Sequence, residues 1–269
     1  MKKYAVILLI VCSTLFFGSC SKFSKIQKSQ DMEAKYKAAV EYYEKENYYQ
    51  ALQLFEELVT VFRGTVKAED TYYYYCMCYY RTGDFTFAAY HFNNFSQTFP
   101  ASAKAEEALF LNAYCYYMDS PPASLDQKNT VDAIRQFQLF INRYPKSEKV
   151  AEANSLIDEL RFKLETKDFN VAKLYLKREQ FKSAMIAFQN VIKTYPSSTY
   201  KEECLYFILL SSYEYAERSV SYRQAERYKI AIEHYLKLID TFPNSSKLES
   251  AQKIYDDCKE RLDKLTKAS

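Results

Sequence analysis

A fourfold repeat constrains the fold of this chain more than any other feature of its sequence. An aromatic residue followed by Pro recurs, and each time Ala stands twelve residues before the Pro and an aromatic residue eight before it. The four sets are Ala88, Phe92 and Pro100; Ala133, Phe137 and Pro145; Ala184, Phe188 and Pro196; and Ala231, Tyr235 and Pro243. Small and aromatic positions that recur before a Pro stop are typical of stacked helical hairpins.

The repeat predicts an all-α fold, a tetratricopeptide-repeat superhelix of about five helical hairpins plus a C-terminal capping helix. The first hairpin has Ala51 and Phe55 at the repeat positions, but Arg63 stands where Pro would be. Gly83 provides the turn of the second hairpin. The fourth hairpin lacks internal Pro and Gly, so we expect its first helix to be long, over Lys149–Arg178.

Three further boundaries follow from capping patterns. Thr130 comes after an extended polar turn and is the expected N-cap of the second helix in the third hairpin. We expect the fifth hairpin to pair Glu202–Arg218 with Arg227–Thr241 across another extended turn. Ser246 and Glu249 form a capping-box pattern that predicts a final helix, and a polar terminal helix caps an open repeat stack.

Composition excludes several classes of function. Only three Gly occur in 269 residues, and no Gly-rich loop of the kind that holds phosphates is present. The net charge is +3, with cationic and acidic residues interspersed, which indicates solvated helix faces rather than a nucleic-acid-binding surface. Since no catalytic, metal-binding or cofactor-binding motif occurs, we expect no enzyme, no catalytic residues, no cofactor, no metal site and no nucleic-acid partner.

The N-terminus predicts export. Two Lys precede an apolar run over residues 4–17, which is too short to span a bilayer but suits a secretory signal. Small residues then precede Cys20, as at the site where bacterial lipoproteins are cleaved and acylated. We expect a lipoprotein signal peptide over residues 1–19, a lipidated flexible tether over residues 20–31 and the repeat domain over residues 32–269.

The alternative at this point is an ordinary signal peptide in which Cys20 occurs by chance. Several acyl chains on Cys20 would anchor the chain stably, whereas a single chain would not. Neither an Asp nor an acidic cluster follows Cys20 directly. By analogy with bacterial lipoproteins, this favours the outer membrane, with the lipid-anchored protein facing the periplasm.

Five more Cys lie beyond the expected tether, and an odd number gives no complete disulfide framework. We expect them to be small buried residues of packed helices, and the sequence leaves open whether any two form a disulfide. They are Cys76, Cys78, Cys115, Cys204 and Cys258.

The first helices of the hairpins carry a candidate peptide-binding groove. Projecting the repeat register onto the first three hairpins places nine side chains on the concave side, at i, i+4 and i+7. They are Tyr36, Val40, Tyr43, Tyr73, Met77, Tyr80, Phe110, Tyr114 and Tyr117. Aromatic stripes are usually core, and we expect this of Tyr72, Tyr75 and Tyr79. Because residues 72–75 are four successive Tyr that point around the whole helix, some of them must face outward.

Taken together, these features resemble the BamD family, the tetratricopeptide lipoproteins of the machinery that inserts β-barrels into the outer membrane. The resemblance covers nearly the whole chain and includes Cys20, the five hairpins and the extended third turn. Its matching positions include Thr130, Ala133, Arg135, Phe137, Phe140, Tyr144, Pro145 and Ser147, then Leu160, Arg161, Leu164, Lys167, Ala172, Tyr175 and Arg178. Departures are Asp168, where the family often has Glu, Glu165 after Leu164, where it often has Ala, and Asp126-Gln127 in place of an Arg-Asp pair.

The resemblance implies partners and a role. It implies that the groove receives the C-terminal targeting signal of unfolded outer-membrane β-barrel proteins, and Tyr suits such a peptide surface because it offers apolar area and a hydroxyl with few rotors. It also implies that the C-terminal hairpins dock on the periplasmic domain of a BamA-like barrel insertase. Arg218, Arg223 and Arg227 are the candidate docking residues. The expected function is that of a non-catalytic scaffold of barrel assembly.

Three alternatives remain at this stage. One is a generic periplasmic tetratricopeptide-repeat adaptor lipoprotein that serves another envelope complex. A second is a carbohydrate-capture lipoprotein with a helical-repeat core, although such chains are longer and carry large insertions. The third is an enzyme, for which the sequence offers no catalytic set.

Overall fold

The computed structural model describes residues 22–267, so the expected signal peptide and Cys20 lie outside the described residues. Between Met32 and Lys267 the described chain forms eleven α-helices. They are α1 (Met32–Glu44), α2 (Tyr48–Val61), α3 (Ala68–Arg81), α4 (Phe85–Thr98), α5 (Ala105–Met118), α6 (Lys128–Arg143), α7 (Val150–Lys177), α8 (Phe181–Thr194), α9 (Lys201–Glu217), α10 (Ser221–Thr241) and α11 (Leu248–Lys267). No strand occurs over residues 22–267, so the predicted all-α class is confirmed.

The helices pair into five hairpins of the tetratricopeptide type, from α1–α2 to α9–α10, and α11 follows the last hairpin. The chain divides into two compact units. Unit 1 holds the first three hairpins and the beginning of α7 as far as Leu160. Unit 2 holds residues 122–126 of the third turn and the chain from Arg161 onward.

A buried Ala and a buried ring hold the two helices of each hairpin together. The five Ala of the repeat position are fully buried: Ala51, Ala88, Ala133, Ala184 and Ala231. The rings four residues later are also buried: Phe55, Phe92, Phe137, Phe188 and Tyr235. A methyl side chain lets the partner helix approach closely, and the ring fills the space one turn away. Burying each ring contributes about 1.5–3 kcal/mol.

The links between hairpins repeat a second motif, an aromatic residue followed by Pro, any residue and Ser. We call these Ser the junction serines: Ser102, Ser147, Ser198 and Ser245. Each accepts a hydrogen bond from the backbone N–H two residues later, which orders the turn that leads into the next helix. Each also donates to a carboxylate on the first helix of the preceding hairpin, and those carboxylates are Glu69, Glu106, Glu165 and Glu202. One serine side chain therefore orders the start of a helix and also binds the first helix of the preceding hairpin.

Several sequence-based boundaries were wrong. Helix α6 begins at Lys128 with Gln127 as its N-cap, so Thr130 lies inside the first turn and donates to the Gln127 side chain. Helix α10 begins at Ser221, six residues before the expected start at Arg227, so the fifth turn is short. The residues at the start of α10 are mostly polar and show little helical periodicity of apolar side chains, so the sequence pattern did not indicate this boundary.

The final helix also starts differently from the expected capping box. The residue that accepts a backbone N–H there is the junction serine Ser245, which binds the N–H of Lys247 at 3.0 Å. Ser246 is exposed. The Ser that matches the repeat, rather than the one that matches the local capping pattern, orders this turn.

Part of the expected tether packs against the first hairpin. Residues 22–27 form a helical turn. The ring of Phe23 meets that of Tyr42 edge-on, with centroids 5.5 Å apart. Asp31 then caps α1 by accepting the N–H of Ala34 at 2.9 Å.

The five described cysteines are free thiols and are all buried. Burial raises the pKa of Cys78, Cys204 and Cys258 to about 12 in each case. These thiols therefore stay protonated at neutral pH, and the expectation that they are small buried residues is confirmed.

Replacing a junction serine tests the motif. Ser198→Ala removes the donor to Glu165 and the acceptor for the N–H of Tyr200. Because Ser198 and Glu165 are both buried, we expect the free energy of unfolding to fall by about 1–3 kcal/mol in urea denaturation. Its exposed neighbour Ser197 provides the control, and Ser197→Ala should change the value by less than about 0.5 kcal/mol. Equal effects of the two variants would contradict the role given to Ser198.

Candidate functional site

Helices α1, α3 and α5 carry the nine predicted groove residues, three on each helix, and all nine lie in unit 1. We call these nine the first-helix surface. Seven are partly exposed, and they are Tyr36, Val40, Tyr43, Tyr73, Tyr80, Tyr114 and Tyr117. The structure therefore forms an aromatic surface from equivalent positions of three successive hairpins.

Two of the nine are not available at this surface. Met77 is 9% exposed and packs in a core cluster with Phe92 and Ala108. Phe110 is 3% exposed and meets Phe137 edge-on, with ring centroids 5.7 Å apart. The repeat register predicts on which side of a helix a residue lies, but it does not predict how deeply neighbouring residues cover it.

The four successive Tyr of α3 divide as their positions around the helix require. Tyr75 is buried, whereas Tyr72, Tyr73 and Tyr74 are half-buried. Tyr74 stacks on Phe55 of α2, with parallel rings and centroids 5.4 Å apart. The core role expected of Tyr75 is confirmed.

Ring contacts join the surface across hairpins. Tyr43 of α1 meets Tyr74 of α3 edge-on at 5.0 Å and packs in the core clusters of both hairpins. Between α3 and α5, Tyr80 and Tyr114 are close enough that the phenol of Tyr114 adds to the burial that raises the pKa of Tyr80. We call the partly exposed rings of the first-helix surface, which α1, α3 and α5 carry, the aromatic strip.

Lysines from the links between hairpins lie over this surface. The ammonium of Lys67 is 5.0 Å from the ring centroid of Tyr36, and that of Lys104 is 5.2 Å from Tyr73. Lys149 occupies the same place 4.4 Å from the ring of Phe110. These cation–π contacts place positive charge at one edge of the strip. Sequence reasoning missed them, although each Lys stands two residues after a junction serine or the equivalent Thr65.

The phenols of the surface are hydrogen-bond donors at neutral pH. Burial, followed by a hydrogen bond to Glu107 at 2.7 Å, raises the pKa of Tyr73. Burial and Glu159, which Tyr117 contacts at 2.9 Å, raise the pKa of Tyr117 in the same way. A carboxylate that accepts a hydrogen bond from the phenol disfavours its ionisation, because the two negative charges would then repel each other.

Other phenols of the strip are open to a ligand. Within residues 22–267 the hydroxyls of Tyr36, Tyr80 and Tyr114 have no hydrogen-bond partner, whereas those of Tyr73 and Tyr117 are bound to carboxylates. The first-helix surface can therefore offer apolar ring area and a few hydroxyl groups to one chain. It has the chemistry to hold a peptide by stacking and by hydrogen bonds to its backbone.

The three candidate docking arginines lie in unit 2 and differ from one another. Arg218 pairs with Glu179 and lies 4.6 Å from the ring of Phe181. Arg223 pairs with Glu226 of its own helix at 3.1 Å. Both guanidinium groups are already neutralised by a carboxylate.

Arg227 has different surroundings. Its guanidinium carbon lies 4.0 Å from the ring centroid of Tyr215, and it donates to Ser219. In the part of unit 2 that is described, no carboxylate pairs with Arg227. Arg223, Arg227, Tyr215 and Lys182 line one cavity of about 330 Å³. Glu226, the partner of Arg223, lines the same cavity.

The described chain contains no group of His, Cys, Asp and Glu side chains arranged to hold a metal ion. No helix within residues 22–267 has the length and apolar character needed to cross a bilayer.

Alkaline unfolding tests the environment of the Tyr73 phenol. Since folding raises the pKa of Tyr73, the native state keeps the proton above the usual phenol pKa of about 10, whereas the unfolded chain loses it. The stabilisation that the protonated Tyr73 phenol contributes is therefore fully present below that pH and is lost as the pH rises above it. Tyr73→Phe should reduce the loss of stability seen in urea denaturation between about pH 9 and 11. Tyr49→Phe alters an exposed phenol of α2 as a control, and an equal effect of both would contradict the assignment.

Comparison with known proteins identifies the family. The model of the family described as YfiO, outer membrane lipoprotein, matches residues 28–218, which is more than half of the chain. No curated protein matches the chain.

Among solved structures, a complex of the TPR2AB domain of yeast Sti1 with pHSP90 has a TM-score of 0.41 and 11% identity, covering 85% of this chain and 98% of that one. The apo form of RapI has a TM-score of 0.35 and 15% identity, covering 91% and 89%. At such scores neither structure bears on the partners of this chain. The family match, together with helical hairpins of the tetratricopeptide type, places this chain in the YfiO family of outer membrane lipoproteins.

Proposed function

We propose that this protein is a non-catalytic scaffold of outer-membrane β-barrel assembly. It is anchored through acyl chains on Cys20 to the inner leaflet of the outer membrane and faces the periplasm. It recognises unfolded barrel proteins with unit 1 and holds a BamA-like insertase with unit 2. Membership of a family of outer membrane lipoproteins supports the location.

The observation that carries the proposal is the partly exposed aromatic strip that three successive hairpins carry on α1, α3 and α5. A barrel protein in transit exposes extended segments rich in aromatic residues, and such a segment can stack on these rings. The lysines at the edge of the strip, Lys67 and Lys104, can bind a C-terminal carboxylate in exchange for the side-chain carboxylates with which they pair.

Binding at this surface is expected to be reversible. Its rings are half-buried rather than gathered in a deep pocket, and Lys67 and Lys104 already pair with Glu33 and Asp70. A ligand must compete with these groups, which limits its affinity. A scaffold that passes its substrate on needs such an exchangeable contact.

The docking part of the proposal rests on Arg227. It is the one of the three arginines for which no carboxylate partner lies in the described part of the chain, and Tyr215 holds its guanidinium in place. An acidic side chain of an insertase domain could form a bidentate pair with it.

Photocrosslinking tests the peptide surface. A photoreactive phenylalanine at Tyr114 should crosslink to a peptide with the C-terminal strand of a barrel protein, because Tyr114 is a partly exposed ring of the strip. The same substitution at Tyr49 is the matched control, since Tyr49 is 68% exposed on α2 and lies outside the strip. Mass spectrometry would measure the yield at each site. Equal yields, or none at Tyr114, would contradict peptide recognition by this surface.

Charge reversal tests the docking residue. Arg227→Glu should lower capture of the insertase periplasmic domain at least about fivefold, because an attraction becomes a repulsion. Arg178→Glu, a change at an exposed arginine directly after α7, is the control and should leave capture unchanged. Thermal unfolding of both variants separates loss of binding from loss of fold. If the wild-type protein captures a different envelope complex and no insertase, the adaptor alternative replaces this function.

A further inference from the structure

A cavity of about 810 Å³ lies in unit 1, away from the first-helix surface. Helices α2 and α4 form its walls, and α3 contributes Tyr72 and Tyr75 to its floor. The equivalent spaces between later second helices are smaller: about 420 Å³ between α4 and α6, and about 240 Å³ between α8 and α10. Only the first of the three is close to the upper end of the range for small-molecule sites, about 300–1,000 Å³.

The link between the first two hairpins, which borders this cavity, departs from the repeat. At this link Arg63, Gly64 and Thr65 replace the Pro, variable residue and Ser of the other four links. Gly64 has φ +79°, a left-handed conformation that favours Gly. All three residues line the cavity. The link that departs from the repeat therefore borders the enlarged space.

The walls of the cavity are polar and regular. Thr60 lies near the end of α2 and Arg63 in the link after it. Opposite them, Tyr90, Asn94 and Gln97 form an i, i+4, i+7 stripe on α4. Amide and hydroxyl side chains both donate and accept hydrogen bonds. Such walls suit a ligand whose groups also donate and accept hydrogen bonds, as the hydroxyl groups of sugars do.

The floor and one wall supply aromatic rings. Tyr72 and Tyr75 reach into the cavity with their hydroxyls engaged, Tyr72 with Nδ1 of His91 at 3.2 Å and Tyr75 with Tyr79 at 3.1 Å. Tyr90 is 60% exposed, which leaves its ring open to solvent at the cavity wall. Exposed rings beside amides provide apolar faces on which the C–H side of a pyranose can stack.

Arg63 favours a ligand that carries a negative charge. Within residues 22–267 no carboxylate forms an ion pair with its guanidinium. Glu56, which also lines the cavity, lies two turns earlier on α2. An unpaired guanidinium at the edge of a cavity favours a planar anion such as a carboxylate.

We propose that this cavity binds a short oligosaccharide that carries a carboxylate. Tyr90 stacks on a pyranose ring, Asn94 and Gln97 bind its hydroxyls, and Arg63 binds the carboxylate. A peptide fits the cavity less well, because Val59 is the one large aliphatic side chain among the lining residues. This site is separate from the first-helix surface and does not depend on the function proposed for it.

Calorimetric titration with defined saccharides tests this proposal. The purified full-length protein, held in a detergent without a sugar headgroup, would be titrated with digalacturonic acid and with galactobiose of the same linkage, up to about 10 mM. We expect the acidic disaccharide to bind more tightly. Arg63→Gln should weaken the acidic ligand about tenfold and abolish the preference over the neutral one. Tyr90→Ala should weaken both ligands.

Two controls keep the outcome decisive. Arg178→Gln removes an exposed arginine elsewhere and should leave binding unchanged, and thermal unfolding should show each variant folded. A tripeptide ending in Tyr-Phe with a free carboxylate serves as the competing ligand class. The proposal is overturned if neither saccharide binds, if Arg63→Gln leaves the acid preference intact, or if the tripeptide binds and is lost on Arg63→Gln while the saccharides are not bound.

Discussion

The packing of a fully buried alanine and, one turn later, a buried ring between the two helices of a hairpin is the interaction on which the five described hairpins depend. It recurs from Ala51 to Ala231, and in each case it lets two helices approach to the distance that a methyl group allows. A larger side chain at these positions would separate the helices and open the space that the ring fills. Because the same contact repeats, the first helices present equivalent faces, and this equivalence aligns Tyr36, Tyr73 and Phe110 on successive hairpins.

The links between hairpins use one short motif for three purposes. The Pro ends a helix, the junction serine starts the next one and binds a glutamate of the preceding hairpin, and a Lys two residues later lies over an aromatic ring. In unit 2, Tyr200 takes the place of that Lys and stacks on Phe169 with centroids 4.3 Å apart. Cationic and aromatic residues are therefore interchangeable at this position, since both pack against the face of a ring.

Much of this architecture could be predicted from the sequence because it repeats. The buried Ala and ring positions, the five hairpins and the long α7, observed over Val150–Lys177, follow from spacing alone. The burial of Met77 and Phe110 could not be predicted, because it depends on side chains packed over them from other helices. The lysines over the strip and the cavity beside Arg63 join residues that lie far apart in the chain, and periodicity within one helix carries no information on such pairs.

The five buried thiols have a consequence for how the chain must mature. If the protein folds in an oxidising compartment, each cysteine is open to mispairing until its helices pack. Contacts in this fold join mostly neighbouring helices, and proteins with such local contacts fold quickly. Once its helices have packed, each described thiol is enclosed, so the local packing of hairpins itself keeps these sulfur atoms away from an oxidant.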